Sequence, residues 1–244
     1  MELVDTHAHL EDFNNIAVIV ERAKAVSVIA IVAVAADLRT CQRVLQLSKE
    51  HRDFIHPALG IHPQETSKDI EAALSFIRGH LDECVALGEI GLDYWMKINQ
   101  EAQRNVFTKL LRMATQKDMP VCVHSRGSWE DCYRLLRENL VRRAVFHWYS
   151  GSLKTLMSIV DSGYLISATP ASEYSKAHRE AIRNTPFENL MLETDCPVKY
   201  HGIESEPADV AKTLAYVSTL RGVSERTVAL KTTENAIRFF RLTH

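Results

Sequence analysis

The sequence predicts an α/β fold, and within that class a (β/α)8 barrel of the TIM type. Three observations carry the prediction. Apolar, β-branched runs alternate with amphipathic stretches along the whole chain; eight such runs can be counted; and 244 residues is an ordinary length for one such barrel. Strands separated by helices imply parallel pairing, and eight is the number that closes the sheet on itself.

The first strand is expected at Glu2–Asp5, followed by a helix over Ile16–Ala25. The second, Val28–Ala35, falls in the longest apolar stretch, Ala25 to Ala36, which only Ser27 interrupts. That stretch is too short to span a bilayer and suits a buried strand. A helix over Cys41–His51 leads to the third strand, Phe54–Leu59, and a helix over Ile70–His80 to the fourth, Glu83–Leu87. Gln100–Lys117 and Trp129–Asn139 have helical spacing and flank the fifth strand, Pro120–Val123. Ala144–Phe146, Tyr164–Ser167 and Leu190–Leu192 complete the set, and Ser224–Phe240 reads as a last helix with Ser224 as its N-cap. The least regular stretches, Thr169–Tyr174 and Cys196–Pro207, follow the seventh and eighth strands, where loops of this fold border a site. No linker or repeat divides the chain, so residues 1–244 are read as a single domain.

Composition narrows the function classes. Apolar residues make up 46% and charged residues 25%, ordinary values for a globular protein. The five cysteines are odd in number and lack CxxC spacing, which suits reduced thiols better than disulfides or a zinc ribbon. A formal net charge of −2 without a basic tail argues against electrostatic coating of nucleic acid, but leaves room for an enzyme that handles one phosphate at a time. The N-terminus has no basic region followed by an apolar one, so the expected location is cytoplasmic, without membrane association.

The residues able to carry chemistry gather where the strands end. His7 and His9 follow the first strand, Glu89 the fourth, His124 the fifth, His147 the sixth and Asp195 the eighth. Residues two apart on an extended chain share a side, so both imidazoles of His7 and His9 can face the mouth of a barrel. Four histidines and two carboxylates make a mixed nitrogen and oxygen set suited to divalent cations. Each has a structural alternative: a polar group near a strand end, or for Glu89 and Asp195 a helix cap. Those alternatives would have to recur independently at all six residues and always on one barrel face.

These residues sit in the blocks DTHAHL (Asp5–Leu10), GIHP (Gly60–Pro63), GEIGLDY (Gly88–Tyr94), PVCVHSR (Pro120–Arg126), FHWYSGS (Phe146–Ser152) and ETDCP (Glu193–Pro197). Together, in this order, they resemble the TatD family of metal-dependent deoxyribonucleases among the amidohydrolase-like barrels. The resemblance implies a hydrolase of ester bonds with two divalent cations, magnesium or manganese with zinc as a further candidate, and with Asp195 and Glu89 as catalytic residues. It implies one cation on His7, His9 and Asp195, another on His124 and His147, and Glu89 between them. The implied partner is a nucleic-acid substrate, the ends of DNA or RNA, with no obligate protein partner. Trp148 and Tyr149 depart from the Cys-Phe common in that family, which touches the pocket wall and not a ligand.

Three further residues are candidates for substrate contact. Arg126 can grip a phosphate oxygen or pair with a rim carboxylate. Asp93 can orient a metal-bound water or a ligand histidine, or cap a turn. His62 can touch substrate or support a ligand. Gly88 and Gly91 are expected to serve the backbone around Glu89, Trp95 and Tyr149 to stack on a base or to pack, and Cys196 to be a small buried neighbour of Asp195. Two other readings remain beside nucleic-acid hydrolysis. One is a barrel hydrolase of C–N or C–O bonds in a small molecule, disfavoured because GEIGLD supplies Glu89 where many such enzymes carry a carbamylated lysine. The other is a catalytically silent metal-binding module, disfavoured because no expected ligand is missing.

Overall fold

The alternation of strand and helix resolves into eight parallel strands paired in sequence order. The computed structural model describes residues 1–66 and 69–242. The strands are β1 (Leu3–Ala8), β2 (Val28–Val34), β3 (Ile55–Leu59), β4 (Ala86–Asp93), β5 (Val121–Arg126), β6 (Ala144–Phe146), β7 (Leu165–Ala168) and β8 (Leu190–Leu192). Helices α1 (Ile16–Ala25), α2 (Leu38–Glu50), α3 (Ile70–Gly79), α4 (Gln100–Gln116), α5 (Trp129–Glu138), α6 (Leu153–Asp161) and α7 (Lys176–Asn184) connect them, and α8 (Val210–Arg221) and α9 (Glu225–Phe240) follow β8. Ser224 caps α9 as expected, its side chain accepting from the Thr227 N–H. A capping box between Asp37 and Thr40 starts α2 three residues before the expected Cys41.

Closure is made beyond β8. The Asp195 N–H donates to the His7 carbonyl at 3.0 Å, the His9 N–H donates to the Cys196 carbonyl at 2.8 Å, and Ala8 bridges Cys196 in parallel register. The segment that completes the barrel is therefore the one that carries Asp195.

Alternation of side chains separates two apolar layers. Val4, Ala30, Val32, Val34, Ala58, Ala86, Cys122, Val145, Leu165 and Met191 pack together with Phe239, Phe240 and Leu242 from the end of the chain. These small residues fill the narrow lumen, and the end of α9 stops its lower opening. The intervening residues, such as Ile31, Leu59, Leu87 and Ile90, pack outward with the helices.

Three strands run further than their apolar runs suggest. β1 reaches Ala8 instead of Asp5, β4 is shifted to Ala86–Asp93 from Glu83–Leu87, and β5 reaches Arg126 instead of Val123. His7, Glu89 and His124 thus lie within strands and not after them. His124 keeps a ladder partner in Gly91, whereas the register shifts around His7 and Glu89; a reading by hydrophobicity stops at the first polar residue and misses all three.

Candidate metal centre

β4 sets the geometry. Leu87 and Ile90 both face the outer layer although they are three apart, and the β4–β5 register is broken between them. An extra residue in the strand changes which side chains turn inward, and here it brings in Glu89. The backbone pays for this with glycine. A Cβ on Gly88 would stand 2.5 Å from that of Cys122, and one on Gly91, at φ +155°, would stand 1.9 Å from the His124 carbonyl oxygen. Gly88 and Gly91 are thus the backbone residues expected around Glu89.

The buried Glu89 carboxylate divides its oxygens between two sets of imidazoles. Its Oε2 lies 3.3 Å from His9 Nε2 and 3.5 Å from His7 Nε2. Its Oε1 lies 2.6 Å from His124 Nδ1 and 2.9 Å from His147 Nε2. Asp195 Oδ1 stands beside the first set, 3.6 Å from His7 Nε2 and 3.7 Å from His9 Nε2. All six residues expected at the centre therefore meet in one place, at the ends of β1, β4, β5, β6 and the segment after β8. Neither Glu89 nor Asp195 caps a helix. Asp195 takes a left-handed backbone at φ +53° and receives the Val198 N–H on its carbonyl at 3.1 Å.

Burial would raise the Glu89 carboxyl, but His147, His62, His124 and His7 outweigh it and hold the group well below the ordinary carboxylate range. Burial opposes charge on His9, yet Glu11 and Glu89 push that imidazole well above its ordinary value. His147 is likewise raised well above it against burial, by Glu89 and Glu193. Asp195 is raised, burial outweighing the histidines beside it. The cluster is a trap for positive charge.

The same trap fits divalent cations. Both ring nitrogens of His7 are buried without a hydrogen-bond partner among the described residues. The separations of 3.3–3.7 Å from His7 and His9 to Glu89 and Asp195 are long for hydrogen bonds. Two ligands each about 2.1 Å from one ion sit roughly 3–3.5 Å apart, close to this spacing. Among the described residues, His7, His9 and Asp195 form one group able to hold an ion; His62, Glu89 and His124 form another, and His7, His147 and Glu193 a third.

The profile of the family described as TatD related DNase matches residues 4–241. This chain belongs to the TatD family. It is 31% identical to the human protein named deoxyribonuclease TATDN3 over 98% of this chain and 94% of that protein. It is 32% identical to a Bacillus subtilis protein named an uncharacterized metal-dependent hydrolase, YabD, over 98% and 99% of the two. The crystal structure of a TatD homologue from Escherichia coli K12 superimposes with a TM-score of 0.91 at 28% identity, covering 99% of this chain and 98% of that one. The expected barrel and the expected class, a metal-dependent hydrolase, both hold.

In this TatD chain three of the histidines have a carboxylate behind them. His124 Nε2 lies 3.2 Å from Asp93, His147 Nδ1 3.5 Å from Glu193, and His9 Nδ1 3.5 Å from Glu11. Only the Asp93 contact is close enough to orient its ring by a hydrogen bond; at 3.5 Å Glu193 and Glu11 act on His147 and His9 through charge, and His147 Nδ1 has no hydrogen-bond partner among the described residues. Asp93 stands where both a histidine and a turn can use it. One oxygen meets His124, and the other caps the turn by accepting the Trp95 and Met96 N–H groups at 3.0 and 3.2 Å. Arg126 makes the rim ion pair, 2.9 Å from Asp93 Oδ2, while its side chain stays 41% exposed.

Glu193, Glu11 and Asp5 were not among the candidates. Glu193 is gripped by the Trp148 N–H at 2.9 Å and the Ser167 hydroxyl at 2.6 Å. Asp5 accepts the Thr194 N–H at 2.9 Å and the Thr194 hydroxyl at 2.6 Å, which ties β1 to the closing segment. The only sequence signal is their spacing: Asp5 in DTHAHL and Glu193 in ETDCP stand two residues before a candidate ligand, and Glu11, just past DTHAHL, stands two residues after His9. Tyr149 is buried with its hydroxyl on the Ser152 carbonyl at 2.8 Å, so it packs and does not meet a base. Cys196 is the buried neighbour of Asp195 that was expected.

Proposed function

We propose that this TatD-family hydrolase cuts phosphodiester bonds in DNA or RNA with two divalent cations, residues 1–244 acting as one catalytic unit. The observation that carries the proposal is the division of Glu89, one oxygen toward His7 and His9 and the other toward His124 and His147. His7, His9 and Asp195 would hold one ion, His124 and His147 the second, with Glu89 shared. When bound, such ions polarise a phosphoryl oxygen and make water acidic enough to attack near neutral pH. Magnesium or manganese suits that chemistry, and the histidine-rich set also accepts zinc. The human relative's name, deoxyribonuclease, supports a nucleic-acid substrate.

The chain's own groups then have separate tasks. Asp195, in its ionised form, accepts the proton of the attacking water on a carboxylate oxygen. His62 is a donor and not a ligand. Its Nδ1 accepts the Gln64 N–H at 3.2 Å, so the neutral ring carries its proton on Nε2, which points into the cluster 3.2 Å from His124 Nδ1. Burial keeps that ring neutral, bringing its pKa down to about 3. A neutral N–H there can hold a non-bridging phosphate oxygen. Arg126, fixed by Asp93 on one side and open on the other, supplies a charged donor to the next phosphate.

The test is an assay on end-labelled single-stranded DNA and RNA beside a panel of cyclic amides, before and after chelation. The expected result is cleavage of nucleic acid that chelation abolishes and manganese or magnesium restores. Hydrolysis of an amide without cleavage of either nucleic acid would sink the proposal.

A further inference from the structure

Between the candidate centre and the rim, the loop after β4 holds up an indole that the packing of the barrel does not require. Trp95 is 67% exposed, whereas Trp129 and Trp148 are partly buried. It is nonetheless fixed. Its backbone N–H is pinned to Asp93. Its ring rests on Gly127, where a Cβ would come within 2.5 Å of the indole Nε1 and 2.6 Å of Cδ1. Trp129 meets it edge-on at 6.2 Å between centroids. The Arg126 guanidinium carbon lies 5.8 Å from the ring centre. The loop after β5 thus supports the indole, and much of the ring remains open to solvent.

The guanidinium is the link to the chemistry. Arg126 is 2.9 Å from Asp93, Asp93 is 3.2 Å from His124, and His124 is 2.6 Å from Glu89. A strand whose phosphate is held by Arg126 would bring a neighbouring base to the indole, and the flat ring accepts any base because every base has a π-face. We propose that Trp95 is a stacking platform for a nucleobase adjacent to the scissile phosphodiester, so that the ligand is single-stranded nucleic acid with an unpaired base and not a bare phosphodiester. The proposal rests on the phosphodiesterase reading above.

A second exposed ring serves as an internal control. Tyr174, 48% exposed in the loop after β7, lies beside His201 at 4.9 Å, and His201 is paired with Glu173 at 3.2 Å. A carboxylate next to that ring repels a phosphate backbone. Exposure alone therefore does not make a platform, whereas exposure beside Arg126 does.

The test measures binding of fluorescently labelled hexathymidylate by anisotropy, and of 2-deoxyribose 5-phosphate by competition, both in calcium. Trp95→Ala should weaken hexathymidylate by about ten- to hundredfold and leave the sugar phosphate unchanged. Trp95→Phe should recover most of the loss, and Tyr174→Ala should bind as the wild type does. Because the ring is exposed, all three variants should melt with the parent. Unchanged hexathymidylate affinity in Trp95→Ala would overturn the platform, as would equal loss of both ligands, which would make the indole a prop for Arg126. Failure of the wild type itself to bind or cleave the oligonucleotide would instead overturn the phosphodiesterase reading, and the platform with it.

Discussion

The upper and lower ends of the barrel are made from the same strands and have opposite chemistry. At the lower end Val4, Ala30, Ala86 and Met191 meet Phe239 and Phe240 in an apolar plug. At the upper end the continuations of those strands present His7, Glu89 and Asp195, which leave imidazole nitrogens without partners. One end gains free energy by removing apolar area from water. The other spends some of it to hold charges close together until a cation or a substrate joins them. Stability and chemistry should therefore separate by end, and the following experiments can break that division or sharpen it.

The largest effect is expected at the mouth. Asp195→Asn should lower turnover by about 10²–10⁴, the size of a lost acid–base group, and weaken metal binding in a titration of the apoprotein. Asparagine tolerates the left-handed φ of +53°, so the fold should survive and the melting temperature should not fall. Turnover within a few-fold of wild type at saturating metal would return Asp195 to a backbone role in barrel closure.

At the other end, Phe239→Ala should cost about 3–5 kcal/mol of stability in urea unfolding, as large aromatic deletions from cores do. Below the transition its kcat should match the parent. A variant as stable as wild type would show that the aromatic plug is dispensable; a stable variant with lost turnover would break the division between the ends.

The mouth also contains a histidine that serves the scaffold. His178 donates from Nδ1 to the Tyr149 carbonyl at 2.7 Å and accepts the Thr169 N–H on Nε2 at 3.1 Å. Burial lowers its pKa to about 4. The unfolded chain takes up the proton near pH 6.5 and the folded one refuses it until about pH 4, so stability falls as the pH drops across that window. The expected loss is on the order of 3 kcal/mol. His178→Gln should flatten this limb relative to wild type in denaturant titrations at pH 7 and pH 4.5. Parallel acid limbs would mean that other groups carry the pH dependence.

The smallest effect is assigned to the rim. Arg126→Ala should raise the KM for oligonucleotide by the equivalent of about 1.5–3 kcal/mol, the range of a charged hydrogen bond, with metal content unchanged. Arg126→Lys should recover part of it, since an ammonium lacks the planar fork. Unchanged kinetics in the alanine variant would leave Arg126 as the partner of Asp93 alone.

The division between ends also explains what could be read in advance. The Ala144–Phe146 and Leu190–Leu192 strands are as expected, because each is an apolar run bounded by polar residues. β4 is shifted because its functional half, Gly88 to Asp93, is polar and glycine-rich and resembles a turn. The six candidate ligands were legible because histidines and carboxylates repeat at strand ends, and Arg126, Asp93 and His62 all lie at the mouth as expected. Glu193 and Glu11 were not legible, since each is an ordinary acidic residue until the fold sets a histidine nitrogen beside it.

The sequence by itself determined the barrel, through the count and alternation of its apolar runs, and the family, through blocks spread from Asp5 to Pro197. Those are properties of local patterning, which survives in one dimension. Tertiary structure decided the remainder. It divided Glu89 between two imidazole pairs, set the Gln64 N–H on His62 Nδ1, buried Tyr149 and exposed Trp95. Each of these depends on distances of a few ångströms between residues far apart in the chain, and such distances exist only once Asp195 has closed the barrel against His7.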